Sequence, residues 1–190
     1  MKRRRRLVIA IASAALLLSG PAIAQRSPAE RAAELDRLLA ALKAAPDEAT
    51  AALLEARIRA FWLEGASPAV RLLMARGIRN LNAKAAADAE RDFDDVIALD
   101  PNLAEAYFQR GIARWKQDKL AAAIRDMEET LRRQPRHFDA FRVLSEIAEQ
   151  RHDYMSALKA WQKLLSLDPK TPGGEAKLKE LTRRAMGESA

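Results

Sequence analysis

Three prolines, Pro101, Pro135 and Pro169, stand 34 residues apart, and the chain between them repeats in register. Small residues recur at Gly77, Gly111 and Ser145, and alanine recurs at Ala89, Ala123 and Ala157. Phe93, Met127 and Trp161 follow each alanine by four places, and Leu73, Tyr107 and Phe141 precede each small residue by four. Spacings of four put each pair on one face of a helix. A period of this length belongs to stacked helical units, none of which can bury its apolar face alone. The small residue and the alanine let the two helices of a unit approach closely, and the large apolar residue fills the gap between adjacent units. Proline ends the second helix, because it lacks an N–H and pushes its predecessor out of helical geometry.

These columns resemble the tetratricopeptide repeat (TPR), a 34-residue helix–turn–helix with the pattern W-x2-L-G-x2-Y, then A-x3-F, then P. The resemblance covers residues 70–103, 104–137 and 138–171. It implies an all-α fold, a right-handed superhelix of stacked antiparallel helix pairs. The departures are specific. Asn80, Arg114 and Ala148 replace the family's helix-one tyrosine, and Val96, Thr130 and Leu164 replace its late alanine, so looser or differently angled packing between units is expected.

Residues 27–69 read as a divergent helical hairpin covering the front of the first unit, or as a worn fourth repeat. Ser27-Pro28-Ala29-Glu30 is a capping box with proline in the first turn, and Leu35, Leu38, Leu39 and Leu42 form an apolar stripe. Leu53, Leu54, Ile58, Phe61 and Trp62 mark a second amphipathic helix, broken by Gly65, Ser67 and Pro68. Residues 172–190 read as a basic capping helix and tail, with Leu178 and Leu181 toward the last unit.

The formal charge of +7 does not point to nucleic acid. Lys2 to Arg6 carry five positive charges, whereas the chain after residue 24 holds 28 lysines and arginines against 26 acids. Phosphate binders concentrate positive charge on the folded domain. Residues 1–24 have the parts of a secretory signal: the basic run, an apolar stretch from Leu7 to Leu18, and Ala22-Ile23-Ala24 as a small-residue cleavage site. Twelve apolar residues span roughly 18 Å as a helix, short of the ~30 Å hydrocarbon core. The expectation is cleavage after Ala24 and a periplasmic protein without a stable membrane span, with an uncleaved anchor as the alternative.

Nothing in the sequence assembles a catalytic or metal site. Cysteine is absent, and His137 and His152 lack a partner histidine at helical spacing. Asp92, Asp94 and Asp95 read as a solvated face. No enzyme activity and no cofactor are expected. In the resembled family the first helices of successive units line a concave groove, and carrying its groove positions over gives Met74, Ile78, Phe108, Ile112 and Trp115 as an apolar strip. Arg142, Glu146 and Glu149 form a charged end. The lysine and asparagine clamp by which some chaperone-binding members hold a C-terminal carboxylate is missing. The strip suits the apolar face of a partner's helix or an extended apolar segment. Burying on the order of 400 Å² there would contribute about 10 kcal/mol gross, largely offset by association costs of roughly 4–15 kcal/mol. The chain therefore reads as a scaffold holding a protein or peptide partner. The competing reading is a self-associating structural protein, with room for a homo-oligomer, whose groove is filled by its own chain.

Overall fold

The structure is a computed structural model that describes residues 27–187, so the expected export signal and its cleavage site lie outside the described residues. The described residues form nine helices and no strand. They are α1 (Pro28–Lys43), α2 (Glu48–Leu63), α3 (Pro68–Asn82), α4 (Ala86–Leu99), α5 (Ala104–Trp115), α6 (Leu120–Arg133), α7 (Phe138–Gln150), α8 (Tyr154–Leu167) and α9 (Gly174–Ala185). None of them is long and apolar enough to cross a membrane.

Local chemistry sets the starts. Ser27 and Glu30 close the capping box on α1, Asp47 caps α2 through Thr50, and Ser67 followed by Pro68 opens α3. The turn inside each unit recurs to the residue. Lys84, Asp118 and His152 take left-handed backbone, with φ of 61°, 59° and 59°. The next N–H, of Ala85, Lys119 or Asp153, donates back to the carbonyl of Asn80, Arg114 or Ala148 at 2.9 Å. This is a Schellman stop, which satisfies carbonyls that would otherwise be orphaned at a helix end. α3–α4, α5–α6 and α7–α8 are thus three copies of one hairpin.

The small-residue column has a more definite cause than close helix approach. A Cβ on Gly77 would lie 2.5 Å from Cε1 of Phe93, and one on Gly111 would collide with the methyl of Met127. The large apolar residue therefore seats within its own unit, over the small residue of the first helix. Serine fits in the third unit because its hydroxyl donates to the Ala157 carbonyl at 2.9 Å.

Asp92 is not part of a solvated face. It is 5% exposed and accepts from Arg76 and Asn80 of α3. One period later Asp126, 2% exposed, accepts from Arg110 and Arg114 of α5. One period later again the three positions are Leu144, Ala148 and Ala160. The family's tyrosine column is polar in two units because it faces a buried acid, and apolar in the third because that acid is absent. Burying a carboxylate is tolerable only when its lone pairs are filled in this way.

The hairpin α1–α2 does not stack in series on the front of the first unit. The stripe Leu39, Leu42, Ala45, Ala51 and Ile58 shares one core with Phe138, Ala157, Trp161 and Leu164 of the third unit and Leu181 of α9. The chain folds back, placing α1 against α8 and α2 against α5, while Leu72 on α3 stays 67% exposed. Trp161 Nε1 donates to the Gly174 carbonyl at 2.9 Å, tying α9 to the same core.

Candidate functional site

The first helices α3, α5 and α7 neighbour one another and form one wall of the molecule. The expected groove residues divide on it into three groups. Met74, 2% exposed, packs with Val70, Phe93 and Ala106, and Phe108, 9% exposed, packs with Ala140, Val143 and Ile147. Both belong to the seams between units rather than to an open strip. Ile78, Ile112 and Trp115 are half-buried at the far ends of α3 and α5, and the Trp115 indole donates to Gln150 Oε1 at 2.9 Å. Arg142, Glu146 and Glu149 lie on α7 in three different settings. Glu149 accepts from Lys177 of α9 at 2.6 Å. Arg142 turns toward α2. Glu146 makes no ion pair among the described residues, and burial pushes its carboxyl above the usual glutamate range.

α2 covers the near end of this wall. Arg59 forks onto Asp139 at 2.6 and 2.9 Å and also reaches Glu55 at 2.7 Å. Arg142 answers with bonds to Asp139 at 3.1 Å and Glu55 at 3.2 Å. Burial works against the Arg59 guanidinium, yet its bonds to Asp139 and Glu55 hold it above the ordinary arginine range. The Trp62 ring stacks on His137 at 4.1 Å between centroids, and Phe108 meets that imidazole at 4.6 Å with its ring tilted by 36°. His137, fully buried, caps α7 by accepting from the Ala140 N–H at Nδ1, which leaves the proton on Nε2 facing Glu105 at 3.2 Å. Asp36 of α1 adds a bond from Arg136 at 2.5 Å.

Glu55, Arg59, Trp62, His137 and Asp139 are the residues that sequence reading missed as a group. One signal was present. Glu55, Ile58, Arg59 and Trp62 fall at i, i+3, i+4 and i+7, one helix face carrying acid, aliphatic, base and aromatic in turn. Such a face fits a surface that is itself mixed, as the start of α7 is.

The chain is 27% identical over 164 residues to a TPR repeat-containing protein of Rhizobium etli, covering 86% of this chain and 79% of that one. No family model matches it. Two solved structures superpose on most of the described helices. One is the first TPR of Spaghetti (RPAP3) bound to an HSP90 peptide, at a TM-score of 0.58 and 16% identity, covering 62% of this chain and 93% of that one. The other is the Yersinia enterocolitica secretion chaperone SycD with a peptide of the translocator YopD, at 0.55 and 14%, covering 66% and 95%. The fold is a TPR superhelix. Its first helices form a wall that α2 meets at one end, with Ile78, Ile112 and Trp115 half-buried at the other.

Proposed function

We propose that the chain is an exported scaffold protein that holds a protein or peptide segment against the uncovered part of its TPR groove. The observation that carries this reading is the half-buried apolar floor of Ile78, Ile112 and Trp115 on the wall formed by the first helices, supported by the peptides named with two solved neighbours of the same fold. With Met74 and Phe108 committed to the seams between units, that floor offers about half the area first reckoned. Burying ~200 Å² of it contributes roughly 5 kcal/mol gross, which only meets the low end of association costs. Polar contacts beside it would therefore have to add affinity and set orientation. We read the role as binding rather than catalysis, because no acid, base and nucleophile converge on this floor. The export and periplasmic location rest on the signal-like residues 1–24.

A second reading is favoured by α2 itself, which occupies the other end of the groove and makes the wall partly self-filled. The two readings separate experimentally. The chain from Gln25 to Ala190 serves as bait in an envelope extract, beside Ile78→Asp and Trp115→Ala variants checked for folding by circular dichroism. Proteins captured by the parent and lost from both variants support the scaffold. Equal capture by all three, or a dimer by light scattering that protects Trp115, supports the self-filled reading.

A further inference from the structure

The seam between the hairpin and the third unit holds two buried polar atoms whose needs no neighbour meets, Trp62 Nε1 and Asp168 Oδ1. Asp168, which closes α8, is fully buried, and its Oδ2 accepts from the Thr171 hydroxyl, but its Oδ1 has no hydrogen-bond partner. Glu55 of α2, 9% exposed, lines the same cavity as Thr171, the partner of Asp168, and burial together with the neighbouring Asp168 carboxylate raises its affinity for a proton. Two carboxylates brought together away from water do not both stay ionised unless a cation or a proton lies between them. Among the described residues no group of acids and histidines is arranged to hold a metal ion, and the guanidiniums of Arg59 and Arg142 that bond Glu55 leave Asp168 Oδ1 without a donor. A proton on Glu55 meets the requirement, since its O–H donates to the orphan Oδ1.

We propose that Glu55 keeps its proton in the docked state and donates it to Asp168 Oδ1, so that the α1–α2 hairpin is latched onto the third unit by a contact that loosens as the pH rises. This goes beyond whatever the uncovered end of the groove binds, because it concerns the occupant already present at the near end. Burial and the Asp168 carboxylate raise the affinity of Glu55 for its proton, while Arg59 on its own helix and Arg142 on α7 oppose them. Asp139 and Glu146 of α7 face the same seam, and Glu48 lines the cavity of about 380 Å³ that opens beside it between α2 and α7. The sign follows from the raised value. The contribution is whole below the ordinary glutamate range and is lost as pH rises through the docked-state value. The released proton goes to solvent, leaving two carboxylates confronting each other across the seam. Undocking would uncover Phe138, His137, Asp139 and Arg142, a surface shaped for a helix with an acid and a base one turn apart.

The test is amide hydrogen exchange on the full mature chain between pH 5 and 8, expressed as protection relative to intrinsic exchange at each pH. Protection over residues 48–63 should fall by up to tenfold per pH unit from the ordinary glutamate range up to the docked-state value and then level off, while α4 to α6 hold steady. Glu55→Gln keeps a donor for Asp168 and removes the titration, so its protection should be high and flat across the range. Where that variant loses the α4–α6 control signal, Asp168→Asn decides in its place and should be flat as well. A flat parent profile, or a variant that keeps the parent's slope, overturns the latch.

Discussion

Replacing Asp126 by alanine tests whether the buried acid column is what joins the two helices of the second unit. Its side chain is 3% exposed and accepts from Arg110 at 2.7 and 3.1 Å and from Arg114 at 2.9 Å. Breaking a buried ion pair by removing one partner costs about 3–5 kcal/mol. Here the stranded guanidiniums keep other partners, Arg110 with Asp94 at 2.7 Å and Arg114 with Glu90 at 2.9 Å. They are also 15% and 20% exposed. Those two facts reduce the expected loss to about 2–3 kcal/mol. The third unit supplies the counter-experiment within the same molecule. Arg110→Leu, Arg114→Ala and Asp126→Ala together give the second unit the Leu144, Ala148 and Ala160 set. That triple variant should recover part of the single variant's loss, because it removes the stranded charges, although the smaller side chains leave space where Arg114 and Asp126 stood. Urea denaturation followed by far-UV circular dichroism measures both. A single variant within 0.5 kcal/mol of the parent, or a triple variant worse than the single, would refute the reasoning.

Gly77→Ala should lower the melting temperature, because the new methyl meets the fully buried Phe93 ring, which has nowhere to go. The overpacking cost of about 1–3 kcal/mol exceeds the ~1 kcal/mol helix-propensity gain. Gly111→Ala should be milder, since the flexible methyl of Met127 can move aside, and equal losses at the two sites would remove ring rigidity as the cause. Acid should weaken the join between the first and second units. Although burial opposes it, bonds from Lys119, Arg114 and Gln117 hold the Glu90 carboxyl down at about 2. Its stabilisation is present above the ordinary glutamate value and is lost as pH falls from about 4 toward about 2. Thermal melts across that range should be less steeply pH-dependent in Glu90→Gln, and an unchanged slope would place the acid sensitivity elsewhere.

The repeat architecture was legible because three copies of one packing solution write the same constraint three times. A glycine beneath Phe93, a methionine above Gly111 and a proline after each second helix leave columns that survive without any structure. The position of the hairpin was not legible for the opposite reason. Leu35, Leu38, Leu39 and Leu42 specify a buried face, but periodicity names the face and not the surface that covers it, so the front of the first unit looked as suitable as the third. The same limit put Met74 and Phe108 in an open strip, because groove position alone does not distinguish a wall residue from one turned into the seam. The buried acids carried a signal that went unread. Arg76, Asn80 and Asp92, then Arg110, Arg114 and Asp126, then Leu144, Ala148 and Ala160 are polar together or apolar together. Comparing units within the one sequence would have taken Asp92 off the surface.

The N-terminal hairpin folds back across its own superhelix, with α1 against α8 and α2 against α5. Asp36 and Arg136, a hundred positions apart and joined by a 2.5 Å contact, report it most directly. The chain contains no cysteine, so an Asp36→Cys, Arg136→Cys double variant presents a single thiol pair to a short bismaleimide. The fold described here predicts rapid cross-linking within one chain, at a rate independent of protein concentration. Cross-links only between chains, or none while both single variants label freely, would contradict it.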